Sequence, residues 1–410
     1  MSNKPLEGVK VVELATFIAA STAGRFLADL GADVIKIETA KGDPLRFTAP
    51  TEGRPLDMHE NTTWELENAN KRCLSIDMRQ PKGKEAFFKL LDGADVLITN
   101  WRIKALQKQG LDYESLKGKY PKLVYAICTG YGEKGPDKDL PGFDFTAFFA
   151  RGGYLETLRQ KSDVPMNVVP GLGDHNVGMN LAAGILAALY HAERTGHGEK
   201  VETSLFETAV FNLGMMVQAA QYKDYEPNYP INIREATNPY NAAWKTKDNR
   251  YIQTCMPDFN TYHNKFMQAV GLDEMVDNPD YFPVQNLIKN KNGAKLYDKV
   301  MEKFEQKTAA EWEKILTEAD IAFGRAASLE EVLEDPQAWE NKCLYKMQYP
   351  KGERTLVHLP VKFKNMGEPK YNKGPLIGEH TKEVLKELGY SDSDIDAMVS
   401  EKVAYQWDKD

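Results

Sequence analysis

The stretches GVKVVELA (residues 8–15), STAGRFLADLG (21–31) and ADVIKIE (32–38) decide the fold class. The first and third are short apolar runs that favour β-strands, and the second has a helical pattern. The same alternation returns in KGKEAFFKLLDG (82–93), ADVLITN (94–100), YESLKGKY (113–120) and KLVYAICTGYG (122–132). Strands that alternate with helices form βαβ units, so the sequence predicts an α/β fold whose mostly parallel sheet is covered on both faces.

The pattern along the whole chain predicts three regions. Residues 1–224 form the first region, which ends after an apolar helix at 179–196 and a strand followed by a helix at 201–222. The polar, proline-bearing stretch 223–244 predicts a boundary, so residues 225–330 are expected to form a smaller unit of strands and helices. Residues 331–410 contain a strand signal, VHLPVKF (357–363), and two capped helices, GEHTKEVLKELGY and SDSDIDAMVSEK.

Composition and charge narrow the classes of protein that fit. The chain has 410 residues, is 42% hydrophobic and 27% charged, and carries a net charge of −8 without a dense basic stretch. These features do not favour a nucleic-acid partner, and without 18 consecutive apolar residues no membrane span is expected. The beginning MSNKPLEGVKVVELA does not resemble a secretory signal, so we expect a cytoplasmic protein. Four scattered cysteines without a C-x-x-C pair predict reduced thiols and no metal site.

Nucleotide-binding loops are missing from the expected places. A dinucleotide fingerprint requires G-x-G-x-x-G between the first strand and helix, where this chain has LATFIAASTAGR. The stretch GLGDHNVG (171–178) contains G-x-G, but its next glycine falls five residues later. No G-x-x-x-x-G-K-[ST] sequence is present, so chemistry that depends on NAD or ATP is not favoured.

The single acid in GLGDHNVG has two interpretations. Asp174 precedes a long apolar helix, and aspartate is a preferred N-cap because its oxygen accepts a bond from an unpaired N–H of the first turn. Aspartate can also act as a nucleophile, and glycines allow a ligand to approach the backbone closely. The residues by themselves leave both interpretations open.

Basic and small residues near strand ends are also ambiguous. Lys71, Arg72 and Arg79 lie around one strand, while Arg102, Lys104 and Lys108 follow another. Ligands of open α/β sheets bind at strand ends, where such charges can hold phosphates, but charge runs also form solvated helix faces. Small residues at 19–23 permit close approach of a ligand to a helix N-terminus, or ordinary packing of the helix on the sheet.

Several separated motifs together resemble one family. In order, they are GADVIKIE with GDPLR, NANKR with SIDM, ADVLITNWR, TGYGEKGP, PGFD and GLGDHNVG. This combination resembles the class III CoA-transferases, from about residue 6 to the PLIGEHTKEVLKELG segment. TAPTEGRPL, ENTT and NVVPGLGDH are most similar to the transferases of amino-acid-fermenting anaerobes that load CoA onto aryl-lactates such as phenyllactate, or onto 2-hydroxyisocaproate.

The resemblance implies a fold, a reaction and a set of site residues. The fold is a Rossmann-like large domain built from both chain ends, with an inserted small α+β domain, in an interlocked homodimer. Asp174 is the implied nucleophile, Asp144 of PGFD is a supporting acid, and Gly171 and Gly173 are candidate oxyanion donors or points of close approach. The substrates are acyl-CoA and 2-hydroxy acid, without a permanently bound cofactor, and a downstream 2-hydroxyacyl-CoA dehydratase is a candidate partner. The implied CoA contacts are Ile18, Ala19, Ile76, Asp77, Met78, Arg79, Asn100, Trp101, Arg102 and Lys108.

Two departures and two rival functions accompany the resemblance. The family's glycine-rich closing loop has no counterpart between 225 and 260, and Thr39 and Ala40 replace a CoA-binding arginine, whose contact Lys41 or Arg46 is expected to make. Acyl-CoA racemases share the fold but need a histidine where this chain has Phe143, so a racemase is a weaker alternative. A non-catalytic CoA-binding protein is weaker still. The aromatic stretch FDFTAFFARGGYLETL (143–158) predicts an aryl-lactate pocket, with 2-hydroxyisocaproate or another short 2-hydroxy acid as alternatives.

Overall fold

A computed structural model describes residues 4–222, 229–365 and 370–408. The chain divides into two compact units. One comprises Met1–Tyr154, Asn167–Val217 and Pro336–Asp410, and the other comprises Leu155–Met166 and Gln218–Asp335. The short segment Leu155–Met166 thus belongs with the second unit, whereas the sequence placed it in the region 1–224.

The strands and helices have the following bounds. The strands are β1 (Lys10–Leu14), β2 (Asp33–Glu38), β3 (Arg72–Ile76), β4 (Val96–Thr99), β5 (Val124–Thr129), β6 (Lys200–Ser204), β7 (Ala243–Lys245), β8 (Tyr251–Thr254), β9 (Phe323–Arg325), β10 (Leu344–Tyr349), β11 (Gly352–Val357) and β12 (Ala404–Tyr405). The helices are α1 (Ala19–Asp29), α2 (Thr62–Asn68), α3 (Pro81–Leu91), α4 (Ile103–Gln109), α5 (Tyr113–Leu116), α6 (Tyr154–Thr157), α7 (Leu172–Thr195), α8 (Leu205–Asn212), α9 (Gly214–Ala219), α10 (Phe259–Ala269), α11 (Val284–Lys289), α12 (Gly293–Phe304), α13 (Ala309–Glu318), α14 (Leu329–Glu334), α15 (Pro336–Glu340), α16 (Thr381–Glu387) and α17 (Asp392–Ser400). Residues Asp144–Arg151 form a π-helix.

The first unit is built on a seven-stranded sheet in the order β12-β3-β2-β1-β4-β5-β6. All neighbours are parallel except β12, which runs antiparallel to β3. Without β12, the order is that of the doubly wound Rossmann fold. The central strands are buried along almost their whole length, which is expected for a parallel sheet with helices on both faces. The predicted α/β class with a parallel sheet is confirmed.

Helices α1 and α7 pack tightly on one side of this sheet. A Cβ added to Gly178 of α7 would lie 2.6 Å from the carbonyl oxygen of Ala19, so a larger residue would separate the two helices. Ala20 and Ala23 are fully buried, and they therefore serve helix packing, one of the two alternatives for the small residues at 19–23. This close approach places the first turns of α1 and α7 next to each other.

The second unit contains the antiparallel sheet β7-β8-β9 and a core of its own. Its largest buried side chains include Trp244, Phe266, Phe304 and Trp312, and the rings of Phe304 and Trp312 stack with centroids 4.3 Å apart. A continuous aromatic core of this kind stabilises a small unit because each ring removes a large apolar area from water.

In the C-terminal region one sequence prediction needs correction, and one observed strand was not predicted. A strand was expected at 357–363, but the observed strand β11 covers Gly352–Val357 and ends where the expected one begins. Pro360 lies within the expected stretch and lacks the N–H that pairing in a sheet requires. Strand β12 was not predicted, because two residues are too short to show a periodic pattern. Within the ranges that the structure describes, we found no helix long and apolar enough to cross a membrane.

Candidate functional site

The main cavity lies at the carboxyl ends of the central strands. The strand order reverses between β1 and β4, and open α/β sheets bind their ligands at such a switch point. A cavity of about 470 Å³ opens there, lined by the turns after β1, β4 and β5 and by the first turn of α7. Asp174, Asp144, Ile18, Ala19 and Arg102 all line it. Residues that are far apart in the sequence are thereby brought together.

A second cavity of about 540 Å³ adjoins the first, and the two share Thr16 and Trp101. It lies over the carboxyl ends of β1, β2 and β3 and is lined by residues 76–80 together with Lys41 and Gln109. The predicted contacts Ile76, Asp77, Met78 and Arg79 therefore lie in this cavity. Lys108 is exposed on the helix that carries Gln109, and its predicted contact with CoA stays a prediction.

The turn between β1 and α1, which forms one wall of the main cavity, has a strained backbone. Phe17 has a φ of 60°, a conformation that costs free energy for a residue with a Cβ. Asp43 holds it by accepting a bond from the Phe17 N–H at 3.0 Å. The Asn100 side chain bonds both the N–H and the carbonyl of Thr16, at 3.1 and 2.7 Å. Asn100 thus shapes this wall.

A buried cluster of charges supports Asp43. Its second oxygen lies 3.0 Å from the Lys36 ammonium, which also binds Glu13 at 2.9 Å. Lys71 pairs with Glu13 at 2.7 Å, and all four groups are shielded from solvent. Lys71 is therefore committed to this cluster, and Arg72 binds Asp33, Glu383 and Glu387, so the hypothesis that these two bases hold phosphates is wrong.

Arg46, which was expected to contact CoA, is absent from the lining of both cavities. Its guanidinium is 1% exposed and makes three hydrogen bonds of 2.9–3.3 Å to the carboxylate of Glu38. It also stacks on the Trp64 ring, 3.5 Å from its centroid. A guanidinium that is buried and paired in this way stabilises the fold, and a contact between Arg46 and CoA stays a prediction. Lys41, exposed beside the second cavity, remains the alternative.

The first turn of α7 resolves the two interpretations of Asp174. The N-cap position is occupied by Gly171, with φ 89°, and Asp174 is the third helical residue. The cap is supplied from another segment, because Asp144 accepts a bond of 2.8 Å from the Gly171 N–H. Of the two interpretations, Asp174 does not adopt the N-cap one, since Gly171 occupies the N-cap position and Asp144 supplies the cap.

The same geometry bears on the roles of the two glycines. The Gly171 N–H donates to Asp144 Oδ2 at 2.8 Å and is therefore not a free oxyanion donor, whereas the role of the Gly173 N–H as an oxyanion donor stays a prediction. Burial raises the pKa of Asp144, and these two N–H groups oppose that rise. A Cβ on Gly173 would lie 2.2 Å from Asp144 Oδ1 and 2.4 Å from Phe148 Cγ. Position 173 therefore requires glycine because the side chains of Asp144 and Phe148 pack directly against its backbone.

Asp174 itself is left available at the cavity wall. In the described part of the chain, no donor reaches its carboxylate. Burial, and then the charge of Asp144, raise the pKa of Asp174 to about 7, although His175 acts in the opposite direction. Such a carboxylate is substantially ionised at neutral pH and more basic than a solvated one. It has the properties of a covalent nucleophile.

His175 and Glu67 form a pair that the sequence did not reveal. His175 Nε2 lies 2.7 Å from Glu67 Oε1, and the second oxygen of Glu67 accepts a bond of 2.7 Å from the Thr22 hydroxyl. Burial disfavours the charged imidazole, but the Glu67 carboxylate outweighs this effect, so the pKa of His175 is raised. Nothing in the stretch ENANKR (67–72) distinguishes Glu67 from an exposed acid. The pairing of Glu67 with His175 depends on the tertiary packing of the two helices.

Aromatic side chains line the mouth of the main cavity. Phe17 and Phe143 meet edge to face with centroids 6.1 Å apart, and both are partly exposed. Of the stretch 143–158, Phe143 and Phe145 line the cavity, whereas Phe148 and Phe149 are buried in the core. The predicted aromatic pocket is thus narrower than the sequence suggested, and Phe17 contributes a ring that was not predicted.

Comparisons with known proteins agree on one family. The model of CoA-transferase family III matches residues 6–381. The chain is 55% identical to the cinnamoyl-CoA:phenyllactate CoA-transferase of Clostridium sporogenes, over 96% of both chains. It is 42% identical to the (R)-2-hydroxy-4-methylpentanoate CoA-transferase of Clostridioides difficile, over 97% of this chain and 99% of that protein. A crystal structure of a CaiB/BaiF family protein from Brucella suis superposes with a TM-score of 0.78 at 27% identity, covering 94% of this chain and all of that one. The chain therefore belongs to CoA-transferase family III.

Proposed function

We propose that this enzyme transfers CoA from an acyl-CoA, such as cinnamoyl-CoA or another enoyl-CoA, to an (R)-2-hydroxy acid, with an aryl-lactate such as phenyllactate as the acceptor. The observation that carries the proposal is the available Asp174 carboxylate at the wall of a cavity in the family's fold. The names of the relatives from Clostridium sporogenes and Clostridioides difficile support the substrate class.

The reaction conserves the energy of the thioester in two exchanges. The Asp174 carboxylate attacks the acyl-CoA carbonyl, which forms a mixed anhydride and releases the CoA thiolate. The thiolate then attacks the aspartyl carbonyl of the anhydride, which yields an aspartyl-CoA thioester and the free carboxylate of the donor acid. The incoming hydroxy acid carboxylate attacks that thioester, and the thiolate finally attacks the new acyl carbonyl and regenerates Asp174. Covalent catalysis thus divides one difficult exchange into easier steps.

The surrounding residues have separate roles in this scheme. Asp144 fixes the first turn of α7 and so positions Asp174 through the backbone. The positive end of the helix favours the anionic carboxylate by about 0.3–1 kcal/mol. Ile18, Ala19, Trp101 and Arg102 line the main cavity, where the thioester must lie to meet Asp174.

The second cavity is the proposed site for the remainder of CoA. Arg79, whose 83% exposed side chain pairs with Asp77 at 2.8 Å, and Lys41 are the cations proposed to bind phosphate groups. Met78 supplies an apolar surface. Since the cavities share Thr16 and Trp101, one extended ligand can occupy both. Coenzyme A has this extended form, with charged phosphates at one end and the thiol at the other.

The aromatic mouth favours an aryl-lactate over an aliphatic acid. The rings of Phe17 and Phe143 offer an edge-to-face arrangement to a third ring, and such aromatic pairs contribute about 0.5–1.5 kcal/mol beyond area burial. The relative from Clostridioides difficile makes (R)-2-hydroxyisocaproate the second candidate acceptor. Initial rates with (R)-phenyllactate and (R)-2-hydroxyisocaproate, measured with one CoA donor, distinguish the two.

Further parts of the proposal concern the protein's setting. We expect a cytoplasmic interlocked homodimer without a permanently bound cofactor, in which residues 225–330 form an inserted small domain. The product, a 2-hydroxyacyl-CoA, has the chemistry that a 2-hydroxyacyl-CoA dehydratase consumes, so such an enzyme is the proposed downstream partner. Sedimentation of the purified protein measures the oligomeric state.

The decisive experiment is to trap the intermediate. Incubation with cinnamoyl-CoA should give the wild type a CoA-sized adduct, located at Asp174 by peptide mass spectrometry. Asp174→Asn should form none, whereas Asp320→Asn, which alters a 99% exposed carboxyl, should behave as the wild type. An adduct in the Asp174 variant, or none in the wild type, would refute the nucleophile.

A racemase remains the weaker alternative. Phe143 occupies the position of the racemase histidine and carries no exchangeable base, and His175 is engaged by Glu67. Exchange of the α-hydrogen of a 2-methylacyl-CoA with deuterium, in the absence of CoA transfer, would favour the racemase.

A further inference from the structure

The residue that follows the proposed nucleophile is tied to a buried acid on another helix. His175 of α7 faces Glu67 of α2, with Nε2 and Oε1 2.7 Å apart. Glu67 is 1% exposed, so its carboxylate has little access to water and depends on protein partners. The Thr22 hydroxyl of α1 satisfies its other oxygen. The structure therefore fixes the imidazole rather than leaving it free to rotate.

The backbone also restrains this imidazole. The His175 N–H donates to the Gly171 carbonyl at 2.8 Å, and a Cβ on Gly171 would lie 3.3 Å from His175 Cε1. The ring thus lies beside the turn that begins α7, in the same turn as Asp174. Because the two residues are neighbours in this turn, a positive charge on the imidazole favours the Asp174 carboxylate and acts to lower its pKa.

The other charged groups around Asp174 oppose its ionisation. The π-helix contributes the Asp144 carboxyl group and α2 contributes the Glu67 carboxyl group, whereas the buried Cys128 thiol of β5 is uncharged. From helix α1, the uncharged Thr22 side chain lies in this cluster, where its hydroxyl donates to Glu67. Of the titratable side chains in the described residues that act on Asp174, His175 is the one that favours the carboxylate, and the positive end of α7 acts in the same direction.

We propose that His175, held beside the first turn of α7 by the buried Glu67 carboxylate, is a positioning residue that favours the ionised form of Asp174 for attack on the thioester. Glu67 acts one step further away, because it charges and orients the imidazole without touching the substrate. The inference rests on the proposed role of Asp174 as nucleophile. It assigns to the Glu67–His175 pair an electrostatic task in addition to its contribution to packing.

The test follows adduct formation with cinnamoyl-CoA in a single turnover across pH. His175→Gln keeps a hydrogen-bond donor for Glu67 but removes the cation. We expect the acidic limb of the rate profile to move up by about one pH unit, which lowers the rate about tenfold at pH 6 and leaves it within about twofold of the wild type at pH 9. His175→Lys, which restores a cation opposite Glu67, should return the limb toward its original position.

Controls separate the possible failures. His191→Gln alters an exposed histidine of the same helix and should leave the profile unchanged. A uniform loss of rate at every pH in His175→Gln, with an unmoved limb, would mean a structural role and would overturn the inference. Absence of any adduct in the wild type would instead overturn the proposed function, so the two failures are distinguishable.

Discussion

Glycine at position 173 gives a sharp test of how the nucleophile is held. Gly173→Ala adds one methyl group in the first turn of α7. That Cβ would lie 2.2 Å from Asp144 Oδ1 and 2.4 Å from Phe148 Cγ, about 1 Å or more short of ordinary contact. Phe148 is 1% exposed within the core, so its ring cannot move into solvent to make room.

The expected cost follows from these distances. Overpacking of a filled interior costs about 1–3 kcal/mol, and the better helix propensity of alanine returns up to about 1 kcal/mol. We therefore expect the free energy of unfolding to fall by about 1–2 kcal/mol. The larger effect should be on chemistry, since displacement of a reacting group by about 1 Å costs about 10²-fold in rate.

Thermal unfolding and the rate of adduct formation measure the two effects on the same preparation. Gly118→Ala is the matched control, because its added Cβ meets nothing within 4 Å. It should remain within about 0.5 kcal/mol of the wild type and keep the full rate. If Gly173→Ala is as stable and as reactive as this control, the capping of α7 by Asp144 does not position the nucleophile.

Three further results are expected. Asp144→Asn keeps an acceptor for the N–H of the helix but removes a charge that raises the pKa of Asp174. The acidic limb of the pH–rate profile for adduct formation should therefore move to lower pH. A limb that moves to higher pH would contradict this expectation. Phe143→Ala should raise KM for (R)-phenyllactate about threefold to tenfold and change KM for (R)-lactate little, because only the first acid carries a ring. Initial rates with each acid measure the two KM values. An equal change for both acids would exclude an aromatic contact. Arg46→Lys should lower the melting temperature without altering KM for acyl-CoA. Arg79→Ala should raise KM for acyl-CoA and leave the melting temperature unchanged. A raised KM in Arg46→Lys, with an unchanged KM in Arg79→Ala, would place Arg46 at the ligand.

The fold was predictable because its signals are local. Apolar runs such as ADVIKIE and ADVLITN are continuous, as a sheet covered on both faces requires, and each is followed by a turn and a helix. The observed strands Asp33–Glu38 and Val96–Thr99 fall within them. The short strand β12 could not be predicted, because its place beside β3 depends on contacts over more than 300 residues.

The site was predictable in part, through ordered motifs. Those motifs pointed to Asp174 and to the strand-end segments, which do line two adjoining cavities. The pairing of Arg46 was not predicted, because a sequence does not show that a cation faces a buried glutamate and a tryptophan ring. Glu67 was missed for the same reason, since an acid within a polar stretch looks exposed until its helix is packed.

The sequence by itself determined the strand–helix alternation, the family and the identity of the candidate nucleophile. The tertiary structure decided how that aspartate is used. An aspartate before a helix is an N-cap by local rules, yet here the cap comes from Asp144, 30 residues earlier in the chain, and Asp174 is left at the cavity wall. The physical reason is that a backbone N–H donates to whichever carboxylate the fold brings within about 3 Å, and the separation of the two residues in the sequence does not matter.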